Sequence, residues 1–222
     1  MLLEVKNLNK SFEANGKSVT ILKQLSFSVD SNQITSIYGA SGSGKSTLFN
    51  IISGLMTSDS GKISFDGQLM DNSFDFTKFR KENLGVVFQE DYLLSEFTAI
   101  ENIMLPYIIA GNSRKKSYDK AYSLLGKFNL LSIKNSYSNI LSGGEKQRVS
   151  ILRAIINNPK LILADEPTGS IDEFNKEKIF SLFQNIVNEY DSSILIATHD
   201  NNVSKISNKI LNLSKGKIKQ IK

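Results

Sequence analysis

The chain has 222 residues, 40% of them hydrophobic, and a formal net charge of +5. That length and apolar content exclude a disordered or fibrous chain and allow one large domain with a proper core. The absence of cysteine excludes disulfides, thiolate metal sites and a cysteine nucleophile.

The positive charge is compatible with nucleic acid, an anionic membrane surface or a solvated basic face. Its densest clusters, Arg114-Lys115-Lys116 and the lysines from 205 to 222, lack interleaved aromatics, so a solvated face is expected and no nucleic-acid partner. The first ten residues, MLLEVKNLNK, have no charged region followed by a long apolar core, so no signal peptide is expected. No apolar run approaches the roughly 18 residues of a membrane span, and the best candidate, 103–110, is short and contains Pro106. A soluble chain is expected, with any membrane role supplied by a partner.

In chain order, residues 2–8 and 19–29 read as strands, and Asn15-Gly16 offers hairpin-turn chemistry between them, predicting an antiparallel start. Short apolar runs at 34–38, 84–88, 161–164 and 194–197 then alternate with helical stretches, the pattern of a parallel α/β sheet. Residues 98–131 are helical by composition, broken by Pro106 and Gly111, and carry no strand signal. They read as a helical insertion that starts after Phe88 and rejoins at the helix after Gly144. Residues 173–190 form the clearest amphipathic helix, with Ile179, Phe183, Ile186 and Tyr190 on one face.

The first apolar run, ITSIY, leads into Gly39-Ala40-Ser41-Gly42-Ser43-Gly44-Lys45-Ser46-Thr47, a full match to G-x-x-x-x-G-K-[ST] that opens the helix LFNIISGL. Glycines let backbone N–H groups close around phosphate oxygens, and the helix start adds partial positive charge. Lys45 is expected to hold the β- and γ-phosphates of a nucleoside triphosphate, and the Ser46 hydroxyl to ligate Mg²⁺.

A later run, LILA, ends in Asp165-Glu166. Alone this is an ordinary acidic strand end. Beside a phosphate loop, Asp165 is expected near the metal and Glu166 to orient or deprotonate an attacking water. The only histidine, His199, follows the run 194–197 and Thr198, and Gln89 ends LGVVF. Either could be purely structural. All four apolar runs, however, end in a polar candidate, and the carboxyl ends of a parallel sheet share one ligand-binding edge.

The stretch LSGGEKQRV, 141–149, has a Ser142/Glu145 capping-box spacing and two poor helix formers, Gly143 and Gly144. A cap does not require those glycines. Bare backbone at a helix start can also receive an anion, which would make this a second phosphate site.

Taken together, the loop at Gly39, Gln89, LSGGEKQRV, LILADEPTGSID and the histidine of ATHD resemble, in order, the motifs of the ATP-binding cassette (ABC) ATPases, over essentially the whole chain. The resemblance implies a P-loop NTPase core of α/β class with a mostly parallel sheet, an N-terminal antiparallel β subdomain and an inserted α-helical subdomain. The core would take residues 1–88 and 159–222, and the helical part 89–158. It implies ATP and Mg²⁺ as ligands, with Phe12 at the position of an aromatic that stacks on adenine; an ordinary strand residue is the alternative reading of Phe12. Gln89 and Asp165 would stand with Ser46 at the metal, and Gln89 would also link to the helical lobe. Lys45, Glu166, His199 and Gln89 would form the hydrolytic centre.

Ser142, Gly143, Gly144 and Glu145 would close over the ATP of a second subunit, giving a homodimer with two composite sites. Asp172, in PTGSID, would belong to the loop that communicates between subunits, with Ser170-Ile171 replacing a more frequent small residue and Leu. Within the family, VFQEDYLLSEFTAIENIMLPYIIAG and the extended first hairpin resemble the subgroup of lipoprotein-releasing LolD-type, exporting MacB-type and cell-division FtsE-type ATPases, SEFTAIENI being nearest to LolD. Such a chain would be peripheral at the cytoplasmic face of the inner or cell membrane, held by integral permease subunits. A soluble ABC ATPase acting on ribosomes or DNA is the reading from another class; it would bring paired cassettes or a long coiled-coil insert, which this sequence lacks.

Overall fold

A computed structural model describes residues 1–14, 16–169 and 171–222. In chain order its first elements are β1 (Leu3–Ala14), β2 (Lys17–Val29), β3 (Ile34–Tyr38), α1 (Lys45–Ile52), β4 (Ser60–Phe65), β5 (Gln68–Leu69), α2 (Phe76–Glu82) and β6 (Leu84–Val87). There follow α3 (Ala99–Ile109), α4 (Arg114–Lys127), α5 (Gly143–Ile155), β7 (Leu161–Asp165), α6 (Glu173–Tyr190), β8 (Ser193–Thr198), β9 (Lys209–Ser214) and β10 (Lys217–Gln220).

β1 and β2 pair antiparallel down to Ala14 and Lys17, so both run beyond the apolar stretches that mark them in the sequence. The outer end of β2 is exposed, as are Phe12 and Glu13 of β1, and hydrogen bonding across the hairpin extends both strands without a buried face to mark them. Gly16 of the predicted turn has a left-handed φ of 70°; Asn15 lies outside the described residues, as does Ser170. β4 joins the free edge of β1, giving the order β2-β1-β4-β5.

The second sheet has the order β10-β9-β3-β8-β7-β6. β9, β3, β8, β7 and β6 are mutually parallel, and β10 returns antiparallel along β9. Its central strands β3, β8 and β7 are buried almost throughout because both faces are covered, so they are mostly apolar, with Thr35, Ser36, Ser193 and Thr198 as buried hydroxyls. In β7, Ile162 and Ala164 join a core under α3 to α6, while Leu161 and Leu163 face α1 and the antiparallel sheet. β8 divides the same way, Ile194 and Ile196 against Leu195 and Ala197. The period of two along each strand thus builds two cores on one sheet.

α3 is capped by Thr98, whose hydroxyl and Glu101 satisfy each other's backbone donors, and it runs straight through Pro106. The break expected there is absent: one backbone donor is lost, but Ile100, Ile103 and Met104 are buried and hold the helix to the core. The chain turns instead at Gly111, whose φ is 96°. No helix among the described residues is long and apolar enough to cross a membrane.

Candidate nucleotide site

The loop 39–44 leaves the carboxyl end of β3, an interior strand between β9 and β8. Gly44 precedes α1 at φ 105°, where a side chain would be strained and would meet methyls of Ile21 and Leu22 at 2.9 Å. No side chain caps α1, so its first backbone donors are left for a ligand.

Lys45 opens the helix and is folded inward. Its Nζ donates to the carbonyls of Gly39 at 2.7 Å and Ala40 at 3.3 Å, and lies 3.2 Å from Glu166 Oε1. The next residue, Ser46, donates its hydroxyl to Asp165 Oδ2 at 2.6 Å. The phosphate loop and the acidic end of β7 are therefore joined by two consecutive residues of one helix turn.

Glu166 follows β7 in the left-handed region, φ 46°, directly before Pro167. For a residue with a side chain this costs on the order of 1–3 kcal/mol and persists only where the surroundings enforce it. Here its N–H donates to Ala197 O at 2.8 Å and its carbonyl accepts from Gly169 N–H at 3.1 Å. The carboxylate is shared: Oε1 faces Lys45, and Oε2 accepts from the His199 N–H at 3.2 Å and lies 2.9 Å from His199 Nδ1. The Glu166 side chain is 11% exposed and that of His199 is 68% exposed, so the pair bridges protein interior and solvent.

The two neighbouring acids differ electrostatically. Burial pushes the Asp165 carboxyl above the usual aspartate range, with the Glu166 charge adding to it and the Ser46 hydrogen bond only partly opposing. Burial acts on Glu166 in the same sense, but hydrogen bonds from His199 and Lys45, with the Lys45 charge, outweigh it and hold Glu166 below the ordinary glutamate range. Environments that separate the pKa values of adjacent carboxyls are a mark of divided roles.

These residues line a cleft of about 350 Å³ together with Phe12, Ile21, Ser41 to Thr47 and Gln89. Phe12 is on the cleft wall and 39% exposed, not in the core. Gly39 and Ala40 contribute through the carbonyls that hold Lys45. Among the described residues no group of three or more His, Cys, Asp or Glu could hold a metal; Ser46, Asp165 and Gln89 are among the oxygen donors of the cleft, which also include Glu166 and the loop hydroxyls.

Ser142, Gly143, Gly144 and Glu145 do not line this cleft. Ser142 caps α5, its hydroxyl donating to Glu145 Oε2 at 2.7 Å and its N–H to the same atom at 2.9 Å. Asp172 caps α6, accepting from Asn175 N–H at 3.0 Å.

Several contributors were not evident in the sequence. Asp200 accepts from the Thr168 hydroxyl at 3.3 Å and lies 3.2 Å from Lys176 Nζ, tying the segment after His199 to that after Glu166. Its place next to His199 was the available signal. Arg153 of α5 donates to the carbonyls of Asp91 at 2.5 Å and Tyr92 at 2.7 Å, just beyond Gln89. A lone cation in the apolar run SILRAII marks it. Ile21 of the cleft wall has no signal that separates it from other strand residues.

The ABC transporter family profile matches residues 22–169. The lipoprotein-releasing system ATP-binding protein LolD of Treponema denticola is 42% identical over 220 residues, 98% of this chain and 97% of that protein. The LolD of Buchnera aphidicola is 43% identical, covering 90% of this chain and 89% of its own length. The dimeric bacterial ABC transporter cassette MJ0796 superposes with a TM-score of 0.89 at 33% identity, covering 100% of this chain and 99% of that one. A post-hydrolysis dimer of the same cassette, bound to ADP and Pi, superposes with the same TM-score. With motifs, fold and sequence in agreement, the chain belongs to the ABC transporter family, as one of its ATP-binding subunits.

Proposed function

We propose that the chain binds and hydrolyses ATP as a pair of identical subunits and drives a separate membrane permease in lipoprotein release. Full-length likeness to LolD proteins supports the transported class. The observation that carries the chemistry is the Lys45–Glu166–His199 chain of contacts beside an uncapped helix start.

In this reading the loop 39–47 wraps the phosphates and Phe12 stacks on the base. Ser46, Asp165 and Gln89 are hard oxygen donors, the kind that hold Mg²⁺ together with substrate phosphates and not in an all-protein cage. When bound, the ion supplies charge neutralisation at the phosphates. Lys45 turns from Glu166 to the β- and γ-phosphates, which removes one of the contacts that depress the glutamate and makes it a better acceptor for a water proton. His199 keeps Glu166 in register from the other carboxylate oxygen. Ser142, Gly143 and Gly144 act on the nucleotide of the partner subunit, with Glu145 fixing the Ser142 backbone, and Asp172 carries the signal between sites. Residues 89–158 act as the helical lobe that passes movement to the permease, which also holds the chain at the membrane.

The test is transport by the chain reconstituted with its cognate permease, in proteoliposomes loaded with a labelled lipoprotein. ATP-dependent transfer of the lipoprotein to a soluble acceptor is expected. ATP turnover stimulated by a drug or peptide, with no lipoprotein released, would overturn the transported class.

A further inference from the structure

Phe12 stands on a hairpin that outruns the sheet around it. β4 begins at Ser60, which pairs with Asn9, and among the described residues no strand joins that edge of β1 further along. Phe12, Glu13 and residues 17–20 are exposed, so no core fixes where the Phe12 ring lies. β1 also shifts register against β2 on both sides of Lys10, and such irregularities re-aim the side chains beside them. Asp59, the residue before β4, takes the place of the missing strand. Its N–H donates to Asn9 O at 2.9 Å, its Oδ2 accepts from the Ser11 N–H at 2.6 Å, and its Oδ1 accepts from Lys10 Nζ at 3.1 Å. Lys10 Nζ in turn lies over the Phe12 ring, 5.4 Å from its centroid. Hydrogen bonds from Lys10 and Ser11 hold the Asp59 carboxyl below the usual aspartate range, which keeps it charged for both contacts.

We propose that Asp59 is a positioning residue for the base of the nucleotide: by clamping β1 at Asn9, Lys10 and Ser11, it sets the Phe12 ring at the cleft wall. Asp59 does not line the cleft and acts through Lys10 and the β1 backbone. It stands on the chain that leaves α1, whose other end is the phosphate loop. Residues 39–59 therefore cradle the phosphates at one end and aim the ring at the other, which fixes the spacing between the two ends of one nucleotide. Without the clamp the outer hairpin is held by β1–β2 pairing alone, and the ring stands at the wall for only part of the time. Apparent affinity then falls by that fraction. The role rests on the reading above in which Phe12 stacks on the base.

The experiment measures equilibrium binding of ATP, and of inorganic tripolyphosphate, which has no base, to the full chain and its variants, together with kcat and KM for ATP hydrolysis. Asp59→Ala should weaken ATP binding about five- to tenfold and raise KM by a like factor, with kcat and tripolyphosphate affinity within about twofold of wild type. Unchanged tripolyphosphate binding also shows that the variant is folded. Asp59→Asn keeps an oxygen for the Ser11 N–H and should recover most of the loss. Phe12→Ala should weaken ATP binding at least as much as Asp59→Ala. Adding Asp59→Ala to it should cost nothing further, because residues that act through one ring are not additive. An Asp59→Ala chain that binds ATP as wild type does, that loses tripolyphosphate equally, or whose effect adds in full to that of Phe12→Ala would overturn the proposal. Phe12→Ala with wild-type ATP affinity would overturn the stacking reading itself, and the role of Asp59 with it.

Discussion

Glu166 occupies an unfavourable backbone conformation at the point where the chemistry is read, and its two carboxylate oxygens serve different partners. Glu166→Gln keeps the shape and removes the charge. It is expected to leave ATP affinity intact and to slow hydrolysis by about 10²- to 10⁴-fold, roughly 3–5 kcal/mol of barrier, measured as phosphate release against equilibrium binding. The same variant tests the electrostatics. A carboxyl whose pKa is lowered by folding stabilises the fold fully above its unfolded value, about 4.3 for glutamate, and loses that contribution as pH falls through the folded value. The stability advantage of wild type over Glu166→Gln should therefore shrink on acidification below that range. Asp165 works in the opposite sense: its raised pKa means that the ionised form is disfavoured in the fold, and protonation relieves it.

α5 packs against α3, α4, α6 and β6. Its start carries Ser142, Gly143, Gly144 and Glu145, and near its end Arg153 holds the carbonyls of Asp91 and Tyr92, the latter at a left-handed φ of 44°. Arg153→Ala would leave both carbonyls without that donor. A loss of about 2–3 kcal/mol in urea denaturation is expected, since hydrogen bonds to charged groups run at roughly 1.5–3 kcal/mol. Elements with strong local signals were legible in the sequence: α6 begins at an aspartate cap and repeats apolar residues at helical spacing, and its bounds match the 173–190 expectation. β4 and α2 were not legible. Only Ile63 and Phe65 are buried in β4 and only Phe79 in α2, too few to set a period. The floor of the cleft was readable because β3, β6, β7 and β8 are short, mostly apolar runs that lead into the glycine-rich loop, Gln89, Asp165-Glu166 and His199, whereas Ile21 reaches it from the hairpin with no such signal. The close packing of Gly144, where an added Cβ would stand 2.7 Å from Asn175 Cγ, was not, because it joins two helix starts that only tertiary packing brings together.

The whole molecule presents the loop 39–44 and the start of α5 at separate places, with the latter outside the cleft. Ser142→Arg is expected to bind ATP as wild type does and to stay monomeric, as read by light scattering with nucleotide in a slow-hydrolysis background. Dimers of normal stability would reduce the stretch to a helix cap. The placement of β3 has one more consequence. The strand that carries the phosphate loop is bonded along both edges, to β8 and β9, and all three run the same way. Tension applied along β3 through the loop loads those hydrogen bonds in shear, so they must yield together and not one by one as in an unzipping hairpin. The loop's anchorage is mechanically stiff, and a pull between subunits meets its first compliance elsewhere in the molecule.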